Sequence, residues 1–262
     1  MPRITLLLGK RPKPGTLLHD VAERLSRAGP TVSLRLPHDE TVDPADLRGQ
    51  ALIVQRGLND DVAPLLDDAH AGSLTLCNPW PAEQLLRDRT AWRAALEDAG
   101  VPVPGATEVT GWDEVLGHAG RGAIVVKSLV GPGRGETVMP GTAATLPGEA
   151  PFEGPYIVEE LLDFDGTDRK LYVVGDEVRG LLKRSTLEHT HSPAGEPFSP
   201  ADELVELALR TRQALGAHLV GVDVVETPEG AVVVDVNSFP GYRGIADADR
   251  LVAEHLLAHV TA

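Results

Sequence analysis

From Leu219 to Gly241 the chain reads LVGVDVVETPEGAVVVDVNSFPG, two valine-rich runs joined by a short polar turn. β-Branched residues at this density favour extended backbone, and TPEG between the runs is a hairpin signal. With Pro228, Glu229 and Gly230 as a three-residue loop, Gly230 takes the left-handed position and Thr227 pairs with Ala231. Counting outward sets Asp223 opposite Asp235, and Asn237, two residues further, shares their face. Two carboxylates about 5 Å apart repel by roughly 3 kcal/mol at an effective dielectric of about 20. A cation or a shared proton in the gap removes that cost. Hard oxygen donors of this kind suit magnesium held together with substrate phosphates. A solvated hairpin and an acid pair of the glycosidase kind are the alternatives. The first sits poorly with the flanking valines and alanines, and the second leaves Asn237 unused.

A chain of 262 residues has room for one large or two modest cores. Its net charge of −15 argues against broad nucleic-acid binding, which needs a basic footprint, while leaving room for a local positive pocket. The apolar start ITLLLG is too short for a signal or membrane helix and runs into Lys10, Arg11, Pro12 and Lys13. A single cysteine, Cys77, excludes an internal disulfide and suits the cytoplasm.

The first eighty residues alternate strand and helix: ITLLLG, GTLLHDVAERLSRAG, TVSLRL, ALIVQRG, DDVAPLLDDAH and LTLCN. That rhythm predicts a parallel sheet with helices on its faces, and the absence of a GxGxxG after the first strand weakens a dinucleotide-binding reading. NPWP (Asn78 to Pro81) reads as a breaker and a domain boundary. The stretch AEQLLRDRTAWRAALEDAG reads as one helix ending at Gly100. Strands dominate afterwards: AIVVKSL, ETVMP, YIVEELL, KLYVVG and EVRGLLKR. Ser185 to Pro200 reads as a polar surface loop. Helix ADELVELALRTRQALG, the hairpin and helix DADRLVAEHLLAHV complete the chain.

Two further motifs carry chemistry. AIVVKSLVGPGRGETV ends an apolar strand on Lys127 before Gly131, Gly133 and Gly135, an arrangement that lets a lysine and backbone N–H groups meet phosphate oxygens. A structural hairpin is the default for such a motif alone. YIVEELLDFDGTDRKLYVVGDEV gives a strand ending in paired acids, then a strand carrying Asp168 and Lys170, with a salt-bridged surface hairpin as the alternative.

In order and spacing, RDRTAWRAALEDAGVPVP, VVKSLVGPGRG, IVEELL, DRKLYVVGDEV and GVDVVETPEGAVVVDVNSFPG resemble the ATP-grasp superfamily, in particular its RimK-like and inositol-phosphate-kinase-like branches. The resemblance runs from about Asn78 to the end of the chain. It implies an α/β N-terminal domain with a parallel sheet over residues 1–80, then an α+β ATP-grasp domain over 81–262. The first lobe of that domain would cover about 81–155 and the second about 156–262, with ATP clasped between them. It further implies Asp223, Asp235 and Asn237 as ligands of Mg2+, with Mn2+ as the alternative ion. Lys127 would contact the α/β phosphates, with the loop Gly131, Gly133, Gly135 over them. Glu160, Leu161 and Leu162 match the adenine hinge, and Asp168 the ribose position. Lys170 and Lys183 match basic positions facing the γ-phosphate or the acceptor, while Arg184 and Arg243 are candidates for holding an anionic substrate.

The chain also departs from the pattern. Arg89 stands where an ATP-binding lysine is common, and a guanidinium fork is not equivalent to an ammonium. Asp235 replaces the glutamate usual in the ligase branch, and NSFPGY leans toward the kinases. The segment after Arg184 offers His189 and His191 in place of an Asn-rich loop. The expectation is an ATP-dependent carboxylate–amine ligase working through an acyl phosphate. It would act on a small-molecule or peptide carboxylate and an amine donor, without nucleic acid or membrane partners. The alternatives are a kinase for a hydroxyl of an inositol phosphate or similar molecule, and a non-catalytic nucleotide-binding module.

Overall fold

The computed structural model describes residues 1–130, 137–185, 187 and 194–261. The first segment folds as β1 (Arg3–Leu8), α1 (Leu17–Arg27), β2 (Thr31–Arg35), α2 (Pro44–Leu47), β3 (Leu52–Arg56), α3 (Ala63–Ala71) and β4 (Leu76–Cys77). The four strands form a parallel sheet in the order β2-β1-β3-β4. A strand covered on both faces is apolar at nearly every position. Accordingly Ile4, Leu6 and Leu8 pack on the side of α1, and Leu7 with Ile53 packs on the side of α3. Leu18, Val21 and Leu25 form the stripe that seats α1.

After the sheet come α4 (Trp80–Arg87) and α5 (Arg89–Asp98). The one helix expected here is broken at Asp88, whose backbone is extended and whose carboxylate accepts from the Ala91 N–H at 3.0 Å. Aspartate at an N-cap satisfies a helix-start donor, so a second helix begins where periodicity alone sees continuity. Next follow β5 (Ala106–Val109), α6 (Trp112–Ala119), β6 (Ile124–Ser128), β7 (Val138–Gly141) and β8 (Tyr156–Glu160). They make an antiparallel sheet ordered β5-β8-β6-β7. Trp112, Val115, Val126, Tyr156 and Val158 form its core under α6. The sequence reading contained neither β5 nor α6. It also placed residues 156–160 at the start of the second lobe, whereas β8 pairs with β5 and β6 in this sheet.

The third sheet holds β9 (Thr167–Val174), β10 (Glu177–Arg184), β11 (Glu196–Phe198), β12 (Leu219–Thr227) and β13 (Gly230–Ser238), in the order β11-β10-β9-β12-β13, all antiparallel. Helix α7 (Asp202–Leu215) precedes β12, and α8 (Ala248–Thr261) ends the described chain. β11 lies inside the stretch expected to be loop. The Phe198 ring packs over Gly180 on β10 so closely that a Cβ there would sit 2.5 Å from it. Leu204, Leu207, Ala208, Thr211 and Leu215 of α7 cover one face of the sheet together with Trp92 and Leu96 of α5. Burying each leucine contributes about 1.5–3 kcal/mol. Ala82, Leu85, Leu86, Trp92 and Leu96 thus pack on the third sheet, although the sequence reading assigned them to the first lobe, while Trp80 packs on the first sheet.

NPWP is a joint rather than a boundary. Asn78 is fully buried, and its side-chain amide donates to the Leu219 carbonyl at 2.9 Å and to Ser238 Oγ at 3.1 Å. Its Oδ1 accepts from the N–H groups of His218 at 2.9 Å and Leu219 at 2.7 Å. One side chain therefore fastens the end of β4 to the start of β12. Helix α8 adds to this by returning to α1, where Leu251, Val252 and Leu256 join the core of the first sheet.

Candidate functional site

The hairpin β12–β13 places Asp223 opposite Asp235 and Gly221 opposite Asn237. The turn itself is not the expected one. Thr227 pairs with Gly230, leaving a two-residue loop of Pro228 and Glu229, closed by Thr227 Oγ1 donating to the Gly230 carbonyl at 3.0 Å. The register shifts at Asp223/Val224, where Val234 is the extra residue. A bulge of this kind resets the alternation of a strand. Ala231 and Val233 pack toward α7, and so does Val236, while Asp235 and Asn237 turn to the opposite face. The extra residue does for the register what the expected third loop residue was to do.

That polar face continues across β9, where Lys170 is the cross-strand partner of Asp223 and its ammonium pairs with the Asp223 carboxylate. Burial pushes the Asp223 carboxyl up to about 6; Lys170 pulls against the shift and the Asp235 charge adds to it. Asp235 is met by Arg89 Nη1 at 3.3 Å, from the first turn of α5 that the break at Asp88 creates. On the next strand pair Asp168 lies opposite Lys183. Asp168 is largely buried, which raises its carboxyl, while Lys170, Ser185 and Lys183 oppose the rise.

Lys127 comes from β6 in the second sheet and is buried. Its Nζ sits 2.6 Å from Glu159 Oε2 and donates to the Val234 carbonyl at 3.0 Å. Glu159 also takes Arg93 Nη1 at 2.9 Å, and Arg93 donates to the Pro104 carbonyl. The stretch expected to meet adenine is anchored through its backbone: Glu160 N–H donates to the Gly105 carbonyl at 3.2 Å and Leu161 N–H to that of Ala123 at 3.0 Å, with Leu162 following. Gly131, Gly133, Gly135, His189 and His191 lie outside the described residues.

Two clefts meet at Asn237. One, of ≈ 1000 Å³, runs between α5 and the end of β6 and is lined by Arg89, Ser128, Asp235 and Asn237. The other, of ≈ 940 Å³, lies between the first and third sheets, and Lys10, Arg56, Lys170, Lys183 and Arg243 line it together with Asp223. Five cations around one cavity contrast with the net charge of −15. Of the expected substrate-holding residues, Lys170, Lys183 and Arg243 share this cavity. Arg184, next to Lys183 on β10, is turned to the opposite face by strand alternation and is not among its lining residues.

Sequence reasoning missed Lys10, Arg56, Arg93 and Glu159. Lys10 lies just beyond the carboxyl end of β1 and Arg56 ends β3, and between these strands the order reverses, the usual place for a ligand crevice in an open parallel sheet. Arg56 is fixed there by its Nε donating to the Phe239 carbonyl at 2.7 Å. Glu159 precedes the acid that was singled out, and alternation along β8 turns it to the face away from α6, where it pairs with Lys127.

The family model for the RimK-like ATP-grasp domain matches residues 123–260, more than half of the chain. This chain belongs to the RimK-like ATP-grasp family. A probable alpha-L-glutamate ligase of Xanthomonas oryzae pv. oryzae is 32% identical over 113 residues, 38% of this chain and 38% of that protein's length. A probable alpha-L-glutamate ligase of Xanthomonas campestris pv. campestris is 28% identical over 201 residues, covering 68% of each. Among solved structures, a RimK domain ATP-grasp protein from Sphaerobacter thermophilus superposes with a TM-score of 0.77 at 24% identity over 97% of this chain and 99% of that one. The ATP-grasp ligase PsnB, complexed with a minimal precursor, Mg and ADP, has a TM-score of 0.73 at 19% identity over 98% and 97% of the two chains. These likenesses show the ATP-grasp fold expected from the sequence. No described helix is long and apolar enough to cross a membrane.

Proposed function

We propose that this protein is an ATP-dependent carboxylate–amine ligase of the ATP-grasp type. It would form an amide through an acyl phosphate and release ADP and phosphate. The carrying observation is the meeting of two clefts at one oxygen-donor cluster. One cleft runs from Arg89 to Glu108 and Ser128 of the second sheet, and the other is lined by cations suited to an anionic acceptor.

The residues fit a magnesium ion. Asp223, Asp235 and Asn237 offer hard oxygen donors on paired strands, and Asp223 is a partly buried carboxyl raised to about 6 beside a second acid. Bound there, Mg2+ (or Mn2+ in its place) neutralises phosphate oxygens as charge develops during phosphoryl transfer. Lys127, steadied by Glu159 and the bulge carbonyl, faces phosphate from the second sheet. Glu160, Leu161 and Leu162 frame the adenine, and Asp168 accepts from the ribose. Arg89 keeps Asp235 oriented. Lys170 and Lys183 orient the γ-phosphate and the acceptor carboxylate, with Arg243, Arg56 and Lys10 holding the acceptor's other charges. Arg184 has no part in this reading. No side-chain nucleophile is required, because positioning and electrostatics supply the rate.

The relatives' name, alpha-L-glutamate ligase, supports glutamate as one substrate, and the precursor peptide bound to PsnB supports a peptide as the other. Incubation with ATP, magnesium and pools of amino acids and peptides, followed by mass spectrometry, tests this. An amide product and hydroxylamine capture of an acyl phosphate are expected. A product gaining one phosphoryl group on a hydroxyl establishes the kinase alternative instead.

A further inference from the structure

We propose that Cys77, His218 and His255 form a second metal site, for a borderline-soft divalent cation of the zinc class. They come from three separate parts of the fold: Cys77 ends β4, His218 precedes β12, and His255 lies on α8. One donor atom from each lies within 4.8 Å of the other two. In a tetrahedral zinc site with Zn–S of about 2.3 Å and Zn–N of about 2.0–2.1 Å, donors stand roughly 3.3–3.6 Å apart, so small side-chain rotations close the set.

The nitrogens are aimed and otherwise unused. Among the described residues, His218 Nδ1 and His255 Nε2 are buried without a hydrogen-bond partner. Buried polar atoms without partners are uncommon and call for a ligand or a reason. Gly175, at φ +57°, lets the His255 ring come close: a Cβ there would lie 2.8 Å from Nδ1, so Nε2 is the nitrogen turned away from that turn. His218 is held at its backbone by Asn78, the residue after Cys77. His259 packs against both rings, tilted to His218 and edge-on to His255, with centroids 4.7 Å and 4.6 Å away, and its Nδ1 lies 2.9 Å from the His255 carbonyl.

A route in exists. His218 and His255 line a cleft of ≈ 330 Å³ whose acids are Asp176, Glu177 and Glu254, while its one arginine, Arg212, is paired with Asp176 at 3.2 Å. Burial and the neighbouring cations push His255 down to about 4, which keeps the imidazole in its ligating form. The Cys77 thiol, raised by burial, gives its proton to solvent as the sulfur–metal bond forms. None of the three belongs to the Asp223, Asp235, Asn237 cluster, so the site stands apart from the ligase reading. Occupied, it would clip the first sheet, the third sheet and α8 together beside the cation-lined cavity.

Anaerobic titration of the full chain with Co2+ tests the site, because a thiolate ligand produces a charge-transfer absorption that oxygen ligands do not. One equivalent is expected to develop that band, and Zn2+ to bleach it. The band is expected to vanish in Cys77→Ser and in His255→Ala and to persist in Asp235→Asn. If the Cys77 variant does not fold, X-ray absorption at the zinc edge of the wild-type protein decides, with one sulfur at about 2.3 Å and nitrogens at about 2.0–2.1 Å expected. Absence of the thiolate band in the wild type, its survival in Cys77→Ser, or an all-oxygen shell overturns the proposal and leaves three imidazoles packed together without a metal.

Discussion

Lys127 and Val234 join two sheets through a single hydrogen bond. The ammonium of a β6 lysine donates at 3.0 Å to the carbonyl of the one β13 residue that falls outside the cross-strand register. The bulge that turns Asp235 and Asn237 to the polar face thus also supplies an acceptor for the lysine proposed to meet phosphate.

Lys127→Ala should weaken nucleotide binding at least tenfold and lower stability by about 2–3 kcal/mol, since it breaks a buried pair whose carboxylate keeps Arg93. Adding Glu159→Gln should lower stability further, because it strands the buried Arg93, and should leave binding weak. Calorimetric nucleotide titration and urea unfolding report the two separately. Recovery of both by the double variant would show that Lys127 only neutralises Glu159.

Asp235→Asn keeps the shape of the hairpin and removes one of two facing carboxylates. Magnesium-dependent nucleotide affinity should fall by an order of magnitude or more, while thermal stability holds or rises because the repulsion felt by Asp223 is relieved. Binding that keeps its wild-type dependence on magnesium would remove Asp235 from the metal set.

Arg243→Ala takes one cation from the acceptor cavity without touching the cleft beside Arg89. The acceptor KM should rise on the order of tenfold, the loss of one charge-assisted contact, with the ATP KM unchanged. A rise in the ATP KM instead would move Arg243 to the nucleotide side.

Glu83 is buried under Asn78 and Ser238, and burial raises its carboxyl above the ordinary 4.5 despite those hydrogen bonds. A raised folded-state value means that the folded protein holds the proton more tightly than the unfolded chain. Its contribution is therefore fully present below pH 4.5 and declines as pH climbs through the raised value. Glu83→Gln keeps the accepting oxygen and carries no charge. Its melting temperature should match wild type at low pH and exceed it increasingly from pH 4.5 upward. A gap independent of pH would mean that Glu83 titrates as in the unfolded chain.

How far the sequence leads depends on what each residue can signal alone. Asp223 facing Asp235 was legible because one extra residue is needed somewhere in the hairpin. Where it sits was not, since Val232, Val233 and Val234 are the same residue type and carry no alternation. The break at Asp88 is hidden inside an unbroken helical period, although aspartate is a good cap. The cation-lined cavity is assembled from segments as distant as Lys10 and Arg243, and only the strand order brings their backbones to one crevice. Arg184 illustrates a different limit: it stands next to Lys183, which lines the cavity, but the pleat turns it to the other face.

The packing of α8 on α1 has a bearing on how this protein is made. Ile4 and Leu6 are translated well before Val252 and Leu256, which complete their hydrophobic surroundings. In that interval one side of the first sheet stays uncovered, so nascent molecules need shielding from one another until the later helix arrives.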